Sequence, residues 1–250
     1  MKISVITVNK NNAEGLRKTI CSVKLQNKSI VEFIVVDGGS IDDSLAVIDD
    51  GKNIVDHLIS EPDLGIYDAM NKGISIATGE YLVFLNSGDV FYNSEVLNRF
   101  VNNGYNQDFV LGGVCLVHGT MHHKSYLPKR MGFFDFLEGV CHQGVFIKHN
   151  VFLKLGKYNI KYKITADWAL LVEAILLKKY SYIVYKECIS YYNLDGLSSK
   201  VSSKQQVEKE KNEFLHENNI KYNKFLFCLY RYSYRILRIR LFYILSQYTS

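Results

Sequence analysis

Short apolar runs alternate with helix-like segments along the first half of the chain, and this alternation predicts its fold. The apolar runs predict four strands, at 3–8, 33–36, 55–59 and 81–85. Between them, apolar residues recur at helical spacing, as with Leu16, Ile20 and Val23, and again along 67–77. Strands that are apolar throughout and separated by helices are typical of a parallel sheet covered on both faces. We therefore expect an α/β fold with a mostly parallel central sheet flanked by helices.

The second half mixes strand and helix signals. Four further strands are predicted at 109–116, 144–147, 182–185 and 189–192, with an irregular excursion at 119–129. An apolar segment at 167–177, starting near Thr165, predicts a helix. The polar stretch 198–204 is typical of a linker. It divides the chain into a body at 1–204 and a helical extension at 205–250.

The extension carries the positive charge of the chain. The last 33 residues hold six Lys and Arg side chains and no acidic one, whereas the first 217 hold 24 basic and 25 acidic residues. The body is therefore not expected to bind nucleic acid. On a helical projection, five cations of the tail fall within an arc of about 100°: Lys221, Lys224, Arg231, Arg235 and Arg238.

Apolar residues lie on the side of the helix opposite this basic arc. The cations interrupt every stretch of sequence that is long enough to span a bilayer. A basic amphipathic helix over 221–247 indicates association with an anionic membrane surface. The alternative is a helix packed on the body with a solvated basic face. The start of the chain is too short and too soon interrupted, at Asn9, for a signal peptide. We therefore expect a cytoplasmic protein, peripheral on the inner face of the cell membrane.

The cysteines and the glycine pattern exclude several classes of site. The five cysteines are widely spaced and include no CxxC, which indicates neither a disulfide framework nor a zinc site. The first strand is followed by TVNKNN at 7–12 rather than by GxGxxG, so a nicotinamide or flavin enzyme is disfavoured. Acidic residues instead follow the strands, at Asp37, Asp63 and Asp89. Ligands of parallel α/β sheets bind beyond these carboxyl ends.

Several motifs occur in a fixed order over residues 1–200. They are ISVITVN at 3–9, VVDGGSID at 35–42, EPDLGIYDAMNKG at 61–73, FLNSGD at 84–89, HQ at 142–143, ADW at 166–168 and GLS at 196–198. This set resembles a family 2 glycosyltransferase with the GT-A fold, of the bacterial surface-polysaccharide type. The family usually has an acidic DxD-type motif at 86–89, where this chain keeps only Asp89 and replaces two acidic positions by Asn86 and Gly88.

The resemblance implies a role for each matching residue. Asp167 would be the catalytic base, and Asp89 would hold Mg²⁺ or Mn²⁺ on the donor diphosphate. The nucleotide sugar would contact Thr7, Asn9, Asp37, Asp63, Gly65, Asn71 and Asn86. The acceptor side would comprise His142, Gln143 and Trp168. From the residues alone, Asp37 could instead start a turn, Asp167 could cap a helix, and Trp168 could belong to the core.

The implied activity is inverting transfer of a sugar from a nucleotide diphosphate sugar, specifically a UDP-sugar, to a saccharide acceptor. The charged tail and the habit of the family point to a lipid-linked acceptor in surface-polysaccharide biosynthesis. One alternative is a non-catalytic nucleotide-sugar-binding protein on the same scaffold, which the loss of acidic groups at Asn86 and Gly88 favours. Another is a membrane-tethered scaffold, which does not need the acidic strand ends.

Overall fold

The computed structural model describes residues 1–118, 121–193 and 203–233. In its amino-terminal half, four strands alternate with helices, as the apolar runs predict. The strands are β1 (Ile3–Asn9), β2 (Val31–Asp37), β3 (His57–Ser60) and β4 (Tyr81–Phe84). They stand in the order β3-β2-β1-β4, and all three pairings are parallel. The carboxyl ends of these strands therefore share one edge of the sheet.

Helices cover both faces of this parallel half. They are α1 (Ala13–Lys24), α2 (Ser44–Asp50) and α3 (Ile66–Ile76). Successive side chains of a strand point to opposite faces. Ile3 and Val5 of β1 accordingly belong to the same hydrophobic cluster as α1, whereas Ile6 and Val8 belong to the cluster that contains α3. Strands β1, β2 and β4 are thus buried on both faces, which is why they are mostly apolar, whereas the edge strand β3 is largely exposed.

A mixed half extends the sheet beyond β4. Its strands are β5 (Val90–Phe91), β6 (Phe109–His118), β7 (Met121–Ser125), β8 (Val145–Lys148) and β9 (Tyr182–Asn193). Its helices are α4 (Val96–Asn102), α5 (Phe133–Glu138), α6 (His149–Leu155) and α7 (Ala166–Val172). Within the described ranges, nine strands form one sheet, ordered β3-β2-β1-β4-β8-β6-β9-β5 with β7 beside β6. Because β8 is antiparallel to both β4 and β6, the ends of β6 and β9 lie at the same edge as the end of β4.

The second half differs from the sequence-based expectation in three details. Part of the excursion at 119–129 is a strand, since β7 pairs antiparallel with β6. The two strands expected at 182–185 and 189–192 are one strand, β9. Its polar Lys186 and Glu187 fall where the register against β6 shifts, so a bulge absorbs the interruption. The helix expected over 167–177 is α-helical to Val172 and continues as a π-helical turn over Glu173–Leu177.

The carboxyl-terminal part begins with α8 (Lys204–Glu217), which starts at the predicted boundary between 204 and 205. Its Phe214 and Leu215 are nevertheless buried in the same cluster as Tyr162 and Trp168. The boundary therefore marks the start of a helix, not the edge of the hydrophobic core.

A further helical segment covers 224–233, after the non-helical stretch 218–223. Lys221 thus lies before this helix, so the amphipathic helical tail expected over 221–247 starts later than predicted. In the part of the chain that the structure describes, none of the helices combines the length and the hydropathy needed to cross a membrane. The GLS motif, most of the predicted linker and the tail cations after 233 lie outside the described residues.

The contact between Phe146 and Phe100 offers a test of the core. Both side chains are fully buried, and their rings stack with centroids 3.9 Å apart. We expect Phe146→Ala to lower the free energy of unfolding by about 3–5 kcal/mol, because it removes buried apolar area and leaves a cavity. Leu153→Ala, at a side chain that is 74% exposed, should change it by less than about 0.5 kcal/mol. Equal effects of the two substitutions in urea unfolding would contradict this packing.

Candidate active site

The ends of β1, β2 and β4 bring together the residues that are predicted to contact the nucleotide sugar. Asn9 and Asp37 are the last residues of β1 and β2 and stand opposite each other in the parallel register. The Asn9 amide donates to Asp37 Oδ1 over 2.8 Å, and its oxygen accepts from Ser87 Oγ over 2.6 Å. Asn9 therefore ties the end of β2 to the loop that follows β4.

Asp37 is an ionised carboxylate at the centre of this group. It is fully buried and accepts from the backbone N–H and the hydroxyl of Ser40, from Asn9 and from Ser60 Oγ. Burial by itself raises the pKa of Asp37, but these hydrogen bonds outweigh it and hold the pKa below 3.8. The structure thus gives Asp37 an organising role, while its contact with a nucleotide stays a prediction.

The loop before α3 brings Asp63 against Gly38, the residue that follows Asp37. The Asp63 carboxylate accepts from the backbone N–H of Gly65 over 2.9 Å. Gly65 has φ +131°, in the region that favours glycine, so the tight turn predicted at this residue is present. A Cβ atom on Gly38 would lie 2.0 Å from Asp63 Oδ2. Only a glycine at position 38 therefore lets the Asp63 carboxylate approach the end of β2.

The loop after β4 holds Asp89 against α1. Thr19 Oγ donates to the Asp89 carbonyl over 2.8 Å and accepts from the Gly88 N–H over 3.0 Å. One Asp89 carboxylate oxygen accepts from the Asn86 N–H and from the Gln143 amide, each over 3.1 Å. Burial outweighs these interactions and raises the pKa of Asp89 to about 6.

The donor set beside Asp89 fits a hard divalent cation. In the described ranges, no group of three or more His, Cys, Asp or Glu side chains could hold a metal ion. The buried Asn86 Oδ1, however, has no hydrogen-bond partner among the described residues. An amide oxygen and one carboxylate suit Mg²⁺ or Mn²⁺ when substrate phosphates supply further ligands. The residues present are therefore compatible with an ion that binds together with a diphosphate.

Asp167 stands in the first turn of α7 and is paired on both oxygens. Tyr67 Oη lies 2.7 Å from Asp167 Oδ1, and His142 Nδ1 lies 3.1 Å from Oδ2. Burial raises the pKa of Asp167, but the hydrogen bonds and charge of His142 and the Tyr67 contact outweigh it, so the pKa stays below 3.8. The same carboxylate raises the pKa of His142 above 6.5 against the effect of burial. Asp167 is thus ionised at neutral pH.

His142 and Gln143 join Asp167 to the loop after β4. His142 Nε2 lies 3.3 Å from the Asn86 amide nitrogen, on the ring side opposite Asp167. Gln143 donates to Asp89. Both residues, predicted on the acceptor side, therefore also connect the proposed base with the candidate metal loop. Two sets of polar contacts therefore meet in the loop after β4, one from Asp37 through Asn9 to Ser87, and one from the adjacent Asn86 through His142 to Asp167.

Two predicted site residues have clear structural contacts. The Trp168 side chain is 5% exposed and donates from Nε1 to the carbonyls of Phe136 and Leu137. It therefore packs in the core, one of the two positions left open for it, and its acceptor-side role stays a prediction. The Asn71 amide exchanges two hydrogen bonds with the backbone of Tyr158. Its polar groups are engaged within the protein, and its contact with the donor stays a prediction.

Sequence reasoning missed two residues that complete the site. Thr19 bonds to the Asp89 loop, and the signal for it was a polar residue on the apolar face of α1, between Leu16 and Ile20. Tyr67 contacts Asp167 across 100 positions of sequence. It belongs to a recognised motif, but nothing local to it indicates its partner.

The hydrogen bonds of Asp37 generate a stability prediction. Asp37→Asn replaces an acceptor oxygen by an amide that faces donors, so we expect the unliganded protein to lose about 1–3 kcal/mol at pH 7. Because the folded-state pKa is lowered, the wild-type advantage is complete above pH 3.8 and is lost as the pH falls through that lower pKa. Urea unfolding at several pH values measures it. Asp43→Asn, at an exposed residue, is the control, and an equal loss there would contradict the prediction.

The chain is similar to known glycosyltransferases. The sequence profile of Glycosyl transferase family 2 matches residues 4–169. A PGL/p-HBAD biosynthesis glycosyltransferase of Mycobacterium bovis is 30% identical over 221 residues, which are 82% of each chain. An uncharacterized glycosyltransferase of Mycobacterium tuberculosis is 34% identical over 190 residues, 70% of this chain and 69% of that one.

Solved structures share the fold at low sequence identity. S. aureus TarS 1–349 in complex with UDP-GlcNAc aligns with TM-score 0.62 and 19% identity, over 77% of this chain and 58% of that one. The mannosyltransferase PcManGT from Pyrobaculum calidifontis, in complex with GDP-Man and Mn²⁺, aligns with TM-score 0.65 and 15% identity, over 89% and 65%. The family profile, the relatives and the α/β architecture confirm the resemblance that the motifs indicate. The chain therefore belongs to glycosyl transferase family 2 and is a glycosyltransferase with the GT-A fold.

Proposed function

We propose that the protein is an inverting glycosyltransferase that moves a sugar from a nucleotide diphosphate sugar, specifically a UDP-sugar, to a saccharide acceptor. The polar contacts from Asn86 through His142 to Asp167 are the observation that carries this proposal. They place an ionised carboxylate beside the loop whose Asp89 and Asn86 suit a diphosphate-bound cation. A donor held at that loop would present its reacting carbon towards Asp167.

Asp167 is the base in this proposal. The acceptor hydroxyl gives its proton to Asp167 while the hydroxyl oxygen forms a bond to the anomeric carbon. The bond between that carbon and the donor phosphate breaks, and its electron pair leaves with the nucleotide diphosphate. A single displacement inverts the configuration at the anomeric carbon. Tyr67 and His142 hold the carboxylate before the acceptor arrives, so little reorganisation is needed during the reaction.

Donor recognition falls to the strand ends at Asn9, Asp37 and Asp63. Thr7 Oγ is buried without a hydrogen-bond partner among the described residues, as is Asn86 Oδ1. Buried polar atoms of this kind call for a partner, and a bound donor would supply one. Asp89 and Asn86 would hold Mg²⁺ or Mn²⁺, which supplies positive charge to the departing diphosphate. Distant structural relatives in complex with UDP-GlcNAc, and with GDP-Man and Mn²⁺, support such donors.

The helix at 224–233 supports an acceptor held at a membrane. Phe227 and Tyr230 pack against Phe134 of α5, and Tyr230 donates to Asp135 over 2.7 Å. The helix is thereby fixed to the body. Its outward face is apolar and comprises Phe225, Leu226, Leu229 and Tyr232, each about half exposed or more.

Charge and position complete the argument for a lipid-linked acceptor. Lys221 and Lys224 are exposed beside the apolar face and suit anionic headgroups. The helix packs on α5, whose end at Glu138 leads directly into the loop with His142. We therefore infer that residues 221–247 bind an anionic membrane surface on the cytoplasmic side. A lipid-linked saccharide of surface-polysaccharide biosynthesis would meet the site there.

Substitution of the base tests the reaction. We expect Asp167→Asn to lower kcat by about 10²–10⁴-fold, because no carboxylate is left to take the proton from the saccharide hydroxyl. Donor binding should be retained and can be measured by thermal shift with a panel of UDP- and GDP-sugars, with and without Mn²⁺. Glu173→Gln, on the following π-helical turn, is the matched control. Near-normal transfer by Asp167→Asn would refute the base, and donor binding without transfer to any acceptor by the wild type would favour a non-catalytic binding protein.

Substitution of the outward face tests the membrane proposal. Phe225→Glu combined with Leu229→Glu should reduce binding of the full chain to vesicles containing anionic lipid by more than about tenfold, because each lost apolar side chain contributes about 1.5–3 kcal/mol. Leu153→Glu, at an exposed leucine of α6, should leave binding unchanged. Binding of the wild type should weaken at high salt. Equal binding by the double variant, or binding insensitive to salt, would rule the proposal out.

A further inference from the structure

Two neighbouring residues of α8 reach the two segments that carry the Asp167–His142 pair. Glu210 contacts the turn before α7, which leads into Asp167, and Lys211 contacts the end of α5, which leads into the loop with His142. Neither residue belongs to the family motifs, and neither is used in the proposed chemistry. Two adjacent residues of opposite charge on α8 thus contact both the segment that leads into Asp167 and the segment that leads into His142.

Glu210 holds the turn that precedes α7. Its side chain is 2% exposed and accepts from the backbone N–H groups of Lys163, Ile164 and Thr165 over 2.9–3.1 Å, and from Thr165 Oγ over 2.9 Å. These N–H groups come before the first helical residue, Ala166, and need acceptors outside the helix. A carboxylate at this position also favours the positive end of the helix dipole. The turn that carries Asp167 is thereby fixed.

Lys211 caps the carboxyl terminus of α5. Its ammonium donates to the carbonyls of Leu137 and Glu138 over 3.2 and 2.9 Å, at the carboxyl terminus of α5. It also lies 4.6 Å from the centroid of the Trp168 ring, next to Asp167 in sequence. Burial lowers the pKa of Lys211 to about 8, against the charges of Glu138 and Asp167. Such a lysine is costly to bury unless it is paired.

We propose that Glu210 and Lys211 are positioning residues of the transfer reaction, which set the distance between Asp167 and His142 by holding α7 and α5 to one rigid helix. This inference rests on Asp167 being the base. It predicts a specific defect: the donor half of the site stays intact while the base and its partner are misplaced. A misplacement of about 1 Å can cost about 10²-fold in rate.

The test compares Glu210→Gln and Lys211→Met with matched variants on the exposed side of α8, Glu213→Gln and Lys209→Met. In the full chain, we expect each of the first pair to lower kcat by about 10- to 100-fold, with the donor dissociation constant changed by less than about twofold. The second pair should match the wild type. Lys211→Arg keeps a cation for the α5 carbonyls and the Trp168 ring, so it should restore most of the rate.

A double substitution separates positioning from general damage. In an Asp167→Asn background, Glu210→Gln should lower the residual rate no further, because its effect passes through Asp167. An additive loss, a parallel loss of donor affinity, or rates equal to those of the control variants would overturn the inference. Failure of the proposed function gives a different result, namely near-normal transfer by Asp167→Asn itself.

Discussion

The carboxylate of Glu210 is the constraint on which the geometry of the site depends. Taking an isolated carboxylate out of water costs several kcal/mol, so Glu210 is tolerated only because it accepts five hydrogen bonds. Four of these come from the turn at 163–165. The cost of burying Glu210 is therefore offset by the donors of this turn only when α8 is docked against the segment that leads into α7. Packing of Phe214 and Leu215 into the core stabilises the same arrangement.

Three carboxylates of the site differ in how their burial is compensated, and the differences match their proposed roles. Asp37 and Asp167 are compensated by hydrogen bonds, which hold the pKa of each below 3.8. They are ionised before any ligand arrives and serve as fixed parts of the site. For Asp89, burial outweighs the hydrogen bonds from Asn86 and Gln143. A carboxylate left in this condition is the one most stabilised by an added cation.

How much the sequence could predict follows from how local each signal is. The parallel half was predictable because its inner strands are buried on both faces and acidic residues follow its strands, and motif order pointed to Asp89, His142 and Asp167 as candidates. The continuity of β9 was hidden because Lys186 and Glu187 resemble a break, although a bulge accommodates them. Contacts such as Tyr67 with Asp167, or Glu210 with the 163–165 turn, join distant segments. The periodicity of the sequence carries no signal for such contacts.

The position of α8 in the chain has a consequence for biogenesis. A ribosome releases the chain from its amino terminus, so the segments that form the parallel sheet emerge long before Lys204–Glu217. Until then the turn at 163–165 lacks its carboxylate, and Tyr162 and Trp168 lack the apolar cover of Phe214. A nascent chain could therefore assemble the strands of the parallel half while the contact between Asp167 and His142 is still unformed. Catalytic competence would be the last property of the enzyme to appear during its synthesis.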